Sequence, residues 1–197
     1  MIYEFCAENV TLLEKAMQAG ARRIELCDNL AVGGTTPSYG VTKAAVELAA
    51  DYDTTIMTMI RPRGGDFVYN DLEISIMLDD IRLTAQAGSQ GVVFGALTAD
   101  KKLDKANLEK LIDASKGMEV VFHMAFDDLS HEDQLEAIDW LSQAGVTRIL
   151  TRAGVSGDSL EKRFAHYRRI LEHAAGKIEI LPGGGIDMDL SLIHISE

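Results

Sequence analysis

Apolar residues recur along this chain in two rhythms. Short runs bounded by glycine, proline or charge predict β-strands at roughly 2–7, 23–27, 55–60, 91–97, 119–125, 147–152 and 178–182. Between them apolar residues return every three or four positions, as helices require. Leu12, Leu13, Ala16 and Met17 share one face, and so do Leu108, Leu111 and Ile112, and Leu135, Ile138 and Leu141. A longer helix is predicted over 72–87, with Ile74, Met77, Leu78 and Ile81 inward. Asn9, Asp104 and Ser130 stand where N-caps belong, and Asp133 completes a capping box with Ser130.

One phrase is repeated. Ala19-Gly20, Ala87-Gly88 and Ala144-Gly145 each close a helix and lead into an apolar strand; Lys116-Gly117 and Ala175-Gly176 do so more loosely. Glycine at a helix C-terminus takes the left-handed conformation that ends it. Strand–helix units repeating in this way predict parallel strands joined by crossover helices, in one α/β domain over 1–186.

The strands alternate, which separates two α/β architectures. Glu4, Cys6 and Glu8 oppose Tyr3 and Phe5, and Glu25 and Cys27 oppose Ile24 and Leu26. Met57, Met59 and Arg61 oppose Ile56 and Ile60; Val121, His123, Ala125 and Asp127 oppose Phe122, Met124 and Phe126. Strands of an open doubly wound sheet are apolar on both faces. Here one face suits helices and the other gathers charge, as expected of a TIM-type (β/α)8 barrel. Only seven strands are predicted, so the barrel is expected to be incomplete or truncated, with 187–197 an atypical tail.

The net charge of −12 disfavours nucleic acid and anionic membranes, since neither offers a cationic face to this chain. No stretch is apolar for long enough to span a bilayer, and the first residues lack a signal-peptide pattern. A cytoplasmic location is expected, with Cys6 and Cys27 as free thiols.

Two kinds of chemistry are open to these residues. Cys6 and Cys27 close the first two strands at corresponding positions, and adjacent strands lie about 4.8 Å apart. Two sulfurs on one face could share a soft ion such as Cu(I), with Met57 and Met59 offering thioethers of the same parity. Core packing is an equal alternative for the cysteines and the plainer role for the methionines. The second possibility is catalysis. Glu25, Arg61, His123 and Asp127 all reach the C-terminal strand ends by parity, where barrel active sites form. His123 or Glu25 could serve as general acid or base and Arg61 as holder of a small anionic substrate. Gly64-Gly65 after the third strand and Gly183-Gly184-Gly185 after the seventh could bring backbone N–H groups to a ligand, or simply turn the chain. Pro62 should point Arg61 and Arg63 apart, Arg63 serving the loop. Glu8, at a strand–helix junction, is a weaker candidate. His131, His166 and His173 are expected on helix surfaces, and His194 in the tail. A nicotinamide fingerprint and a serine nucleophile elbow are both missing.

The stretches RRIELC, GGTTPSYGV, IRPRGGDFVYND, VFHMAFD and TRILT, in this order, resemble the CutC copper-homeostasis family over nearly the whole chain to about residue 186. The resemblance implies a TIM-type barrel, a cytoplasmic protein and a link to copper, and it tips Cys6 and Cys27, but not the methionines, towards Cu(I). A homodimer through the outer helices is a further expectation.

Overall fold

A computed structural model describes residues 2–154 and 158–184; the 187–197 tail, Gly185 and His194 lie outside the described residues. Seven strands alternate with six helices among them: β1 (Glu4–Glu8), α1 (Leu13–Gln18), β2 (Arg23–Cys27), α2 (Tyr39–Ala49), β3 (Thr55–Met59), α3 (Asp71–Ala87), β4 (Gly91–Phe94), α4 (Lys105–Ala114), β5 (Glu119–Phe122), α5 (His131–Gln143), β6 (Arg148–Thr151), α6 (Leu160–Ala174) and β7 (Glu179–Pro182). This is the predicted α/β alternation, strand for strand. The chain divides into two compact units, one ending at Val121 and one beginning at Phe122.

In the first unit β1, β2, β3 and β4 pair in parallel, in chain order. Alternation decides which side each residue takes. Ile24, Leu26 and Ile56 join Ala7, Leu13, Met17, Ala45 and Ala49 in one apolar core, with Phe5 packed against it. The helices α1 and α2 therefore cover the face bearing these residues. Glu25, Cys27 and Met57 alternate with them and take the other face. Burying each large aliphatic side chain contributes about 1.5–3 kcal/mol, enough to hold this parity against a one-residue slip.

In the second unit β6 pairs in parallel with β7, Ile149 opposite Ile180. Ser130 caps α5 by accepting the N–H of Asp133 at 3.2 Å. Helices α5 and α6 are tied by a buried contact between His166 Nε2 and Gln134 Oε1 at 2.6 Å.

Several local expectations are corrected. The strand expected over 119–125 stops at Phe122; His123 then caps a 3-10 turn over Met124–Asp128, its Nδ1 accepting the N–H of Ala125. Strand parity does not reach Asp127. The strand expected over 91–97 ends at Phe94, although Leu97 bridges Leu103. Asn9 does not cap α1: its φ is +56° and its side chain accepts only the N–H of Val10, while the helix starts at Leu13 behind an uncapped Leu12. His166 is buried, its ring stacked 3.9 Å from that of His131. The helix α2 is not among those the apolar pattern predicts. Its inward residues include Thr42, Ala45 and Ala49, which are too small or too polar to mark a hydrophobic stripe.

Candidate metal centre

Cys6 lies in β1 directly beside Glu25 of β2, and Cys27 lies two residues further on, beside Glu8. The expectation that the cysteines occupy corresponding positions is therefore corrected: they sit diagonally, with Glu25 between. Being of one parity, all three side chains still leave the same face. Both sulfurs and a Glu25 carboxylate oxygen lie within 4.8 Å of one another. Cys6 is exposed at the edge of this group, whereas Cys27 and Glu25 are buried.

Their protonation is shared. The Cys6 thiol is lowered to about 7, chiefly because Cys27 hydrogen-bonds to it; partial burial opposes this, and a hydrogen bond with Glu25 adds to it. The same interaction with Cys6 pushes the Cys27 thiol far up, and burial pushes it further. Burial raises Glu25 well above the usual carboxylate range, helped by the charges of Cys6 and Glu4. Within the group Cys6 is therefore the thiol that ionises more readily, while Cys27 and Glu25 hold their protons more tightly than usual.

Gly34 keeps the space beside Cys27 open. Its φ is +86°, and a Cβ there would stand 3.0 Å from Cys27 Sγ and 3.6 Å from Met59 Cε. Met57 goes elsewhere: its Sδ and Cε crowd the position a Cβ on Gly91 would take, with the sulfur 2.7 Å away. The two methionines share a strand face but not a neighbourhood.

Arg61, just past β3, is 4% exposed. Its Nη1 donates to the carbonyls of Val32 and Gly34, both at 2.9 Å, and its Nη2 to that of Gly65 at 2.8 Å. Its guanidinium stands 4.9 Å from the ring centre of Phe67. It forms no ion pair with a carboxylate among the described residues, and its charge favours the ionised form of Cys27. Arg61 therefore ties the loop carrying Gly34 to the loop after β3, which fixes the wall around Cys27. Arg63 does serve the loop: it pairs with Asp66 at 3.0 Å and with Glu73, and its guanidinium lies 5.3 Å from the Tyr69 ring centre. Gly64 packs on Val32, whose Cβ would be 2.7 Å from any added Cβ, and Gly65 supplies a carbonyl with φ at +87°. Glu8 accepts the N–H of Leu30 at 2.8 Å and so anchors the loop after β2.

The second unit holds the other predicted residues. His123 is buried at the end of β5. Asp127 accepts from the Thr151 hydroxyl and from the Arg152 N–H at 3.1 Å, with the Arg152 Nε 3.6 Å away. Burial still holds its carboxyl above the ordinary value. Gly183 donates its N–H to Thr151 O at 2.9 Å, and the Gly184 carbonyl accepts from Arg163 at 3.0 Å. A Cβ on Gly184 would lie 2.5 Å from Met124 Cε. Glycine here permits a close approach of backbone to side chain.

Sequence reasoning overlooked Tyr69, whose buried hydroxyl stands by Arg61, and Tyr167, which donates to Thr151 O at 2.5 Å. Aromatic hydroxyls on a loop and on an amphipathic helix carry no pattern that would single them out.

The CutC family model matches residues 1–193. A CutC family protein of Enterococcus faecalis is 51% identical over 189 residues, which is 96% of this chain and 90% of that protein. The human copper homeostasis protein cutC homolog is 41% identical over 196 residues, 100% of this chain and 69% of that one. Among solved structures, a CutC of Streptococcus agalactiae superposes with a TM-score of 0.94 at 44% identity, covering 98% of this chain and 92% of that one. An aldolase, QR15, gives 0.71 at 16% identity over 99% of this chain and 85% of its own, a likeness of fold alone. Both likenesses agree with the α/β fold of TIM-type barrels, here with seven strands among the described residues. With its sequence matched almost throughout and its fold shared with a solved relative, the chain belongs to the CutC family.

Proposed function

We propose that this protein binds Cu(I) through Cys6 and Cys27 and serves copper homeostasis in the cytoplasm. The observation that carries the reading is the gathering of two sulfurs and a carboxylate within 4.8 Å on neighbouring strands. Thiolates are soft donors suited to Cu(I), which accepts low coordination numbers. Structural zinc takes four ligands, and three such groups meet here among the described residues. Of these, Glu25 holds its proton more tightly than an ordinary carboxylate, as its burial dictates. Cys6 ionises more readily than Cys27, so loading the ion must displace a proton from Cys27. The exposed Cys6 offers a way in, and the buried Cys27 a way to hold.

Among the residues proposed for catalysis, Glu25 belongs to this cluster and Arg61 to the loop clamp that frames it. Geometry therefore supports ion binding over a reaction on a small anion. An anaerobic Cu(I) competition titration of the protein and its Cys6→Ser and Cys27→Ser variants tests this. One ion per chain, lost in either variant while circular dichroism is unchanged, is the expected result. Equal binding in all three proteins would remove the cysteines as ligands.

A further inference from the structure

We infer that the thioether of Met59 is the third sulfur ligand of this site, while Met57 takes no part. The inference rests on the copper reading and adds a residue to it. Its first support is register. Glu25 stands beside Met57 and Leu26 beside Thr58, so the same register continued by one residue sets Cys27 beside Met59. Cys6, Cys27 and Met59 then descend from three successive strands, β1, β2 and β3, on one face.

The second support is the hollow at Gly34. Cys27 Sγ and Met59 Cε both lie within 3.6 Å of the single point where a Cβ on that glycine would stand. A side chain there would separate the two; its omission leaves them facing a shared space. The Arg61 guanidinium fixes the Gly34 carbonyl at 2.9 Å, so the hollow has a held wall. Met57 is excluded by the same measure, because its thioether is packed over Gly91.

The chemistry agrees with the geometry. A thioether is soft and neutral, so it adds a bond to a monovalent soft ion without adding charge to a buried site. Methionine has three rotatable side-chain bonds and can turn its sulfur with little movement of the backbone. Met59 is 4% exposed, so that sulfur is shielded from water and from oxidation until an ion arrives. A donor set of two thiolates and a thioether favours Cu(I), or Ag(I), over the harder divalent ions.

Selenomethionine-labelled protein loaded with one Cu(I) supplies the test. X-ray absorption at the copper edge is expected to show selenium among the copper's neighbours. That contribution should vanish in Met59→Leu and persist in Met57→Leu, both being near volume-conserving changes. Cu(I) affinity should fall by roughly tenfold or more in Met59→Leu alone, as for the loss of a metal-site partner. Copper bound dependently on the cysteines but without selenium beside it would overturn this inference alone. Copper binding that survives Cys27→Ser would overturn the cysteine site and this inference together.

Discussion

At the scale of single residues, burial decides which charges the protein can use. Arg61 and Arg63 stand two positions apart, yet the first is buried among carbonyls and the second pairs with acids at the surface. Pro62 stands between them with its φ fixed by the ring, and the two side chains do part, as the sequence suggested. Asp127 illustrates the same rule on an acid. Burial raises its carboxyl above the ordinary value of 3.8 even though Thr151 and Arg152 donate to it. Between that value and the higher native one, the folded protein holds a proton that the unfolded chain has lost. Its contribution to stability is therefore full below 3.8 and declines as pH rises through the native pKa. Asparagine at this position has no proton to lose. The difference in urea midpoint between the wild type and Asp127→Asn should accordingly shift against the wild type as pH is raised from 4 to 7.

At the scale of elements, caps and loops do what propensity alone would not. α3 is closed by Asn70, which accepts the N–H of Glu73 at 3.0 Å, while Glu73 returns a carboxylate to the N–H of Asn70 at 2.9 Å. Glu73 also holds Arg63, so the cap and the loop after β3 are fastened together. Asn70→Ala should cost about 1 kcal/mol in chemical denaturation, near the middle of the range for lost caps. A larger loss would show that the loop had come away with the helix start. The helices were legible where leucine and isoleucine marked the inward face, as in α3, α4 and α5. They were not where alanine and threonine did so, as in α2. Strand ends were overestimated at Phe94 and Phe122 because Ala96 and Leu97, and Met124 and Ala125, continue the apolar pattern after pairing stops.

At the scale of the whole molecule, an ion that binds only the folded chain must raise its stability. At a free concentration about 100 times its dissociation constant the gain is about 2.7 kcal/mol. For a chain of this size each kcal/mol moves the midpoint by about 2–4 °C. Cu(I) should then raise the melting temperature of the wild type by about 5–10 °C, less any binding to thiols of the unfolded chain. Cys27→Ser should show little of this shift in the same calorimetric scan. The net charge of −12 adds a general attraction for cations, but both proteins share it, so it cannot produce the difference. No helix among the described residues is long and apolar enough to cross a membrane.

Local patterning by itself determined the order of the strands, the helices marked by leucine and isoleucine, and the presence of two cysteines on one strand face. These are consequences of period and parity, which a chain carries in its own residue order. Tertiary structure alone decided how far one strand is displaced along the next. It set Cys6 beside Glu25 rather than Cys27, sent Met57 over Gly91 and Met59 towards Gly34, and made Arg61 a clamp on two loops. Register and loop path depend on residues far apart in the chain meeting in space. A single residue's type fixes what it can bind, and only those meetings fix what it does bind.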